Sequence, residues 1–191
     1  MDRRTVMRGL AMLLALVAGM PALAHPHLYV DQQVRLSLGL SSAEAVLTIV
    51  PSVEDGAAIF DYIDADANGK IDAAETAGFG QQVTAAVRLI VDGTSIPFAI
   101  TGTTLADRAS LAAGAGRIEL RATAEFALSG SGPHDVEFAV WFYAFDHDWF
   151  VQPFYFPDLV EAAGYPDFTR SEDGSRVTFH IDPTAADPGG L

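Results

Sequence analysis

From Leu28 to Leu40, Tyr29, Asp31, Gln33, Arg35 and Ser37 alternate with apolar Leu28, Val30, Val34, Leu36 and Leu38. A period of two marks a strand with one buried face. Ala45 to Val50 reads as its hairpin partner across a Ser41-Ser42 turn. The period then changes: Val53, Ala57, Phe60 and Ile63 recur at helical spacing, and Val83, Ala86, Val87 and Ile90 do so again after an acidic stretch. This predicts a helix-loop-helix insert over 52–90. Strand-like segments resume with Arg88 to Val91, an Asp92-Gly93 turn, Ile96 to Thr101, Arg117 to Leu128 and Val136 to Phe145. Arg176 to Ile181 is expected to pair with Tyr165 to Thr169 across Glu172-Asp173-Gly174. Ala106 to Gly116 is rich in Ala and Gly and reads as a mobile connector. Alternating strands around one helical excursion predict a mainly β, α+β fold: an antiparallel β-sandwich with an inserted EF-hand-like helix-loop-helix.

The ends of the chain add a compartment. Arg3, Arg4 and Arg8 precede the apolar run Leu10 to Val17, and Ala22-Leu23-Ala24 follows just before His25. That is the pattern of a Sec-type signal peptide over 1–24, implying export to the periplasm. The run is too short for a bilayer core of about 30 Å, so no membrane span is expected once the signal is removed. Residues 25–182 are then a single sandwich domain and 183–191, rich in Pro and Gly, a flexible tail.

Loss of residues 1–24 removes three arginines and one aspartate, leaving 8 basic against 24 acidic residues and a formal charge of −16. Such a surface repels phosphate, so nucleic acid is not an expected partner, whereas divalent metal ions are. With no cysteine, disulfides and thiolate ligands are excluded, and a metal must be held by imidazole, carboxylate, carbonyl or amine.

Two stretches have such donors at telling spacings. Asp64, Asp66, Asn68, Asp72 and Glu75 occupy positions one, three, five, nine and twelve of a twelve-residue loop, with Gly69 at six and Lys70 at seven. Calcium takes six to eight oxygens; the glycine permits a sharp bend, position seven contributes only its carbonyl, and the final Glu closes the site with both oxygens. The alternative is a metal-free acidic loop capped by Asp72. At the processed terminus, the amine and imidazole of His25 could chelate Cu, Ni, Co or Zn, with His27 or a distant histidine completing the site. Pro26 lacks the amide nitrogen that a third-position-histidine copper motif deprotonates, so that motif is ruled out. Ordinary exposed histidines entering the first strand are the competing reading.

Asp146-His147-Asp148 ends the apolar stretch 138–145. A regular strand would point His147 away from both aspartates, so one ion could take all three only at a bulge or turn. His147 could instead join His25 and His27. The aromatic run from Trp141 to Phe156 reads primarily as core, and His134 and His180 are isolated in sequence. No nucleophile elbow, phosphate-binding glycine loop or His-Glu-x-x-His pattern is present, so an enzyme is not the first expectation.

His25-Pro-His-Leu-Tyr-Val-Asp31 directly after a signal peptide, an Asp-x-Asp-x-Asn-Gly loop and a late aromatic strand with an acidic end together resemble the DUF1007 family. Its members are uncharacterised periplasmic components linked to ABC-type or nickel and cobalt transport systems. The resemblance implies a periplasmic metal-binding accessory, partnered by an inner-membrane metal permease. Two other functions stay open: a copper-dependent oxidase using a terminal histidine brace, and a calcium-stabilised interaction domain.

Overall fold

The computed structural model describes residues 29–130 and 132–183. Among these residues ten strands form two five-stranded sheets. One sheet contains β1 (Asp31–Leu38), β2 (Ser42–Val50), β5 (Ala99–Leu105), β6 (Ile118–Glu125) and β8 (Phe150–Tyr155), in the order β5-β6-β2-β1-β8. The other contains β3 (Val87–Val91), β4 (Thr94–Ile96), β7 (His134–Val140), β9 (Asp167–Arg170) and β10 (Arg176–Ile181), in the order β4-β3-β7-β10-β9. The fold is mainly β, as the alternating pattern predicts. Every strand pairing is antiparallel except β1 with β8, where Gln33 lies against Phe150 and Leu38 against Tyr155.

The inward residues of both sheets enter one hydrophobic core: Val34, Leu36 and Leu38 from β1 meet Val136 and Phe138 of β7 and Val177 and Phe179 of β10, all fully buried. Burying a side chain of this size contributes about 1.5–3 kcal/mol, so a cysteine-free chain of this length can hold a sandwich by apolar burial alone. The hairpins fall where the sequence puts them, at Asp92-Gly93 between β3 and β4 and across Glu172 to Gly174 between β9 and β10.

The helical insert lies between β2 and β3. Helix α1 (Gly56–Ile63) buries Gly56, Ile59, Phe60 and Ile63, spaced to form one face. Helix α2 (Ala73–Ala85) buries Phe79, Gly80 and Val83. The helical periodicity read through Val87 and Ile90 breaks earlier: α2 stops at Ala85, and the β-branched Val87, Ile90 and Val91 join β3, where β7 pairs with them.

Three further expectations are corrected. Residues 106–116 are not a mobile connector; they contain helix α3 (Arg108–Ala112), started by the Asp107 side chain on Ser110 N–H and anchored by fully buried Leu111. The close fit explains the small residues. A Cβ at Gly56 of α1 would stand 1.9 Å from the Leu111 carbonyl oxygen, so only glycine lets α3 seat against α1. Strand β7 ends at Val140 rather than Phe145, because Phe142 and Phe145 turn toward the insert. The aromatic run is only partly core: Phe142 and Trp149 are buried, while Trp141, Tyr143, Phe150 and Phe154 are 41–46 % exposed. A fourth helix, α4 (Pro157–Ala163), follows β8 with proline in its first turn.

Candidate metal centre

The residues between α1 and α2 fold as a tight loop whose oxygens point inward. Asp64, 3 % exposed, receives Asn68 N–H at 3.1 Å on one oxygen and Gly69 N–H at 2.7 Å on the other. Asp66 receives Asn68 N–H at 3.0 Å, and the Asn68 side-chain oxygen receives Lys70 N–H at 2.9 Å. The bend needs residues at positive φ: Ala67 sits at 57° and Gly69 at 82°, where glycine carries no Cβ penalty. Helix α2 opens with a capping box. Asp72 accepts Ala74 and Glu75 N–H, and Glu75 turns back to accept Asp72 N–H at 2.9 Å. The other Glu75 oxygen lies 3.3 Å from Asp66 N–H, across the loop.

Asp64, Asp66 and Glu75 thus bring ligand oxygens within 4.8 Å of one another, and this is the one such acidic or histidine cluster among the described residues. Hard oxygens at that spacing suit a divalent cation such as calcium. Of the six expected calcium positions, three carboxylates converge, while Asn68 and Lys70 stay in the loop with the Lys70 side chain exposed. Asp72 does not join the cluster: its Oδ1 is committed to the helix cap.

Of the transition-metal candidates, Asp146, His147 and Asp148 lie among the described residues. His25 and His27 fall outside the described residues, as do the signal peptide and most of the 183–191 tail. Asp146, His147 and Asp148 lie in the loop between β7 and β8, not on a strand. Asp146 Oδ1 accepts the N–H groups of His147 at 2.6 Å and Asp148 at 3.3 Å, a turn that does not gather the three side chains into one ligand set. The His147 ring packs 5.1 Å from Tyr143.

Two contacts place this loop. Gln32, 2 % exposed on β1, donates from Nε2 to the carbonyls of Asp146 at 3.0 Å and Asp148 at 3.3 Å. On the other side, Tyr62 of α1 meets Phe145 at 5.2 Å, and Phe79 of α2 meets Phe142 at 5.9 Å and Phe145 at 6.1 Å. An aromatic cluster therefore joins both helices of the acidic loop to the His147 loop. Gln32 was missed from the sequence, although a glutamine between Val30 and Val34 on the inward phase of β1 is itself the signal of a buried polar role.

His134 and His180 are isolated in sequence only. His134 Nδ1 is 2.8 Å from Asp92 Oδ2, and His180 Nδ1 is 2.6 Å from Asp135 Oδ1. The bond from His134, with the Asp135 N–H, holds the Asp92 carboxyl below its ordinary value of 3.8 despite some desolvation. Among the described residues no helix is long and apolar enough to cross a membrane.

Comparison with protein-family models, with curated proteins and with solved structures finds no match to this chain.

Proposed function

We propose that this is an exported metal-binding protein of the periplasm in which a calcium ion at Asp64, Asp66, Asn68, Lys70 O and Glu75 stabilises the helical insert. In this reading a second, softer site forms from His25, His27 and His147 and takes Cu, Ni, Co or Zn, for delivery to or from an inner-membrane metal permease. The convergence of the Asp64, Asp66 and Glu75 oxygens carries the calcium part. What supports the second site is Gln32, which ties the His147 loop to the strand that His27 precedes.

Asp146 and Asp148 serve that site indirectly, by shaping the turn that presents His147. Calcium binding, by fixing α1 and α2, would hold Phe142 and Phe145 in place and so steady the same loop.

Native mass of the protein purified from the periplasm tests the reading. A chain beginning at His25, carrying one calcium and one transition metal, is the expected result. Titration then separates the parts: wild type must bind Cu, Ni, Co or Zn more tightly than a His27→Ala, His147→Ala variant. Equal affinity in the two would overturn the histidine site and leave calcium untouched.

A copper oxidase with a terminal histidine brace is favoured by one observation. Exposed Tyr143 packs its ring 5.1 Å from His147, as an aromatic substrate contact beside an open copper face would. Copper bound without redox turnover in any reductant would sink that reading.

A further inference from the structure

A hollow of about 230 Å³ lies on the outer face of the sheet that contains β1, β2 and β6. Along β2, Ala45, Leu47 and Ile49 enter the core, so Val46, Thr48 and Val50 take the opposite phase, and all three line the hollow. The phase that faces water is ordinarily polar. Val46 is nevertheless 4 % exposed while standing apart from the hydrophobic core, which makes it an apolar floor beneath this hollow.

Two guanidiniums line the walls, those of Arg35 on β1 and Arg117 at the entry to β6. They stand on opposite sides of β2: Arg35 pairs with Val46, and Arg117 directly precedes Ile118, the partner of Ile49. Arginines in so acidic a chain have carboxylates to meet. Arg88, Arg108 and Arg121 each form an ion pair, and Arg170 lies over the rings of Phe150 and Phe168. The side chains of Arg35 and Arg117 form neither an ion pair nor a hydrogen bond with any described residue.

The two carboxylates at the hollow have donors of their own. Glu119 is held by Arg121 at 2.7 Å, and both oxygens of Asp31 accept from Gln33 Nε2, at 3.0 and 2.9 Å. Charge and hydrogen-bonding capacity are therefore left over on the arginine side. A guanidinium stays protonated in proteins and presents its N–H donors as a planar fork that matches a carboxylate with two parallel bonds.

Two such forks on either side of a valine floor call for a ligand with an anionic group at each end and a short carbon chain between. A compact inorganic anion answers the charge but offers nothing to Val46 and Val50. The volume lies below the usual range for drug-sized ligands, so the occupant is a small metabolite-sized molecule.

We propose that this hollow binds a small dicarboxylate, one carboxylate taken by Arg35 and the other by Arg117, with its carbon chain over Val46 and Val50. The site shares no residue with the acidic loop or the His147 loop and stands whether or not those hold metal.

Calorimetric titration of the full chain with glutarate tests this, in buffer without added metal because dicarboxylates themselves chelate cations. Saturable one-to-one binding is expected, weakened about tenfold or more in an Arg35→Gln, Arg117→Gln double variant through loss of charge-assisted hydrogen bonds. Neither side chain has a protein partner to lose, so the variant keeps its fold. Butyrate, with a similar chain and one carboxylate, must bind at least about tenfold more weakly than glutarate. Absence of saturation, unchanged binding in the double variant, or butyrate or inorganic phosphate binding as tightly as glutarate would each overturn the proposal. Glutarate should bind an Asp64→Asn, Glu75→Gln variant as it binds the wild type, which separates this outcome from any failure of the calcium reading.

Discussion

Asp72 and Glu75 cap each other: the Asp72 carboxylate accepts Glu75 N–H at 2.9 Å while the Glu75 carboxylate accepts Asp72 N–H at 2.9 Å. This reciprocal pair starts α2 without a metal and holds Glu75 beside Asp64 and Asp66. The loop is therefore largely organised in advance, which lowers the ordering cost that cation binding must meet.

Calcium should raise the melting temperature. At a free concentration about 100 times its dissociation constant, a ligand binding only the folded state adds about 2.7 kcal/mol, or about 5–10 °C for a chain of this size. Differential scanning calorimetry should show that rise in the wild type and none with Asp64→Asn, Glu75→Gln. A rise of equal size in the variant would refute calcium binding by this loop.

The aromatic bridge predicts coupling at a distance. Calcium should slow amide hydrogen exchange in residues 141–149, because Tyr62 and Phe79 hold Phe142 and Phe145. In Phe145→Ala the protection of α1 and α2 by calcium should persist while that of the His147 loop is lost. Protection surviving at both places would show that the rings do not transmit it.

Two substitutions probe the seating of α3 on α1. Gly56→Ala drives a methyl into the Leu111 carbonyl and should cost about 1–3 kcal/mol by overpacking. Leu111→Ala, at a fully buried position, should cost about 2–5 kcal/mol by opening a cavity. Urea midpoints measure both. Values near wild type would mean that residues 106–116 do not dock on the insert.

Acid should weaken the fold through carboxylates held below their ordinary value: Asp92, Asp173 and the helix-capping Asp107. Asp92 is held below its ordinary 3.8 chiefly by the His134 hydrogen bond, and Asp173 chiefly by the Ser171 hydroxyl. A depressed folded-state value means stabilisation that is present above the unfolded-state value and lost as the pH falls through the folded-state one. Urea midpoints should therefore drop below about pH 4, and less steeply in Asp92→Asn, which keeps the left-handed turn backbone and an acceptor for Asp135 N–H. An unchanged slope would place the acid sensitivity elsewhere.

The parts of this architecture legible in the sequence are those whose signals are local. Alternation places Val34, Leu36 and Leu38 inward, and the oxygen spacing around Gly69 yields a loop in which Asp64, Asp66 and Glu75 converge. Helix α4 had a readable signal as well, since Pro157 in the first turn and Gly164 just beyond the last are start and stop residues. Helix α3 was obscured because Ala and Gly served close packing, a role that composition alone does not separate from looseness. Strand β8 was hidden for two reasons: Pro153 interrupts it, and its partner β1 lies well over a hundred residues away. The tie from Gln32 to the His147 loop depends on that same long-range pairing, so nothing near either residue announces it.

The parallel seating of β8 beside β1 also has a temporal consequence. β1 acquires β2 at once through a short hairpin, yet its other edge stays bare until β8 has emerged, and β3 waits similarly for β7. Closing such long loops precedes any reward from the contacts they bring, which makes assembly slow. In the interval the bare edge of β1 invites pairing with neighbouring chains. A nascent molecule of this kind would be a natural client for a holdase, released only when β8 arrives.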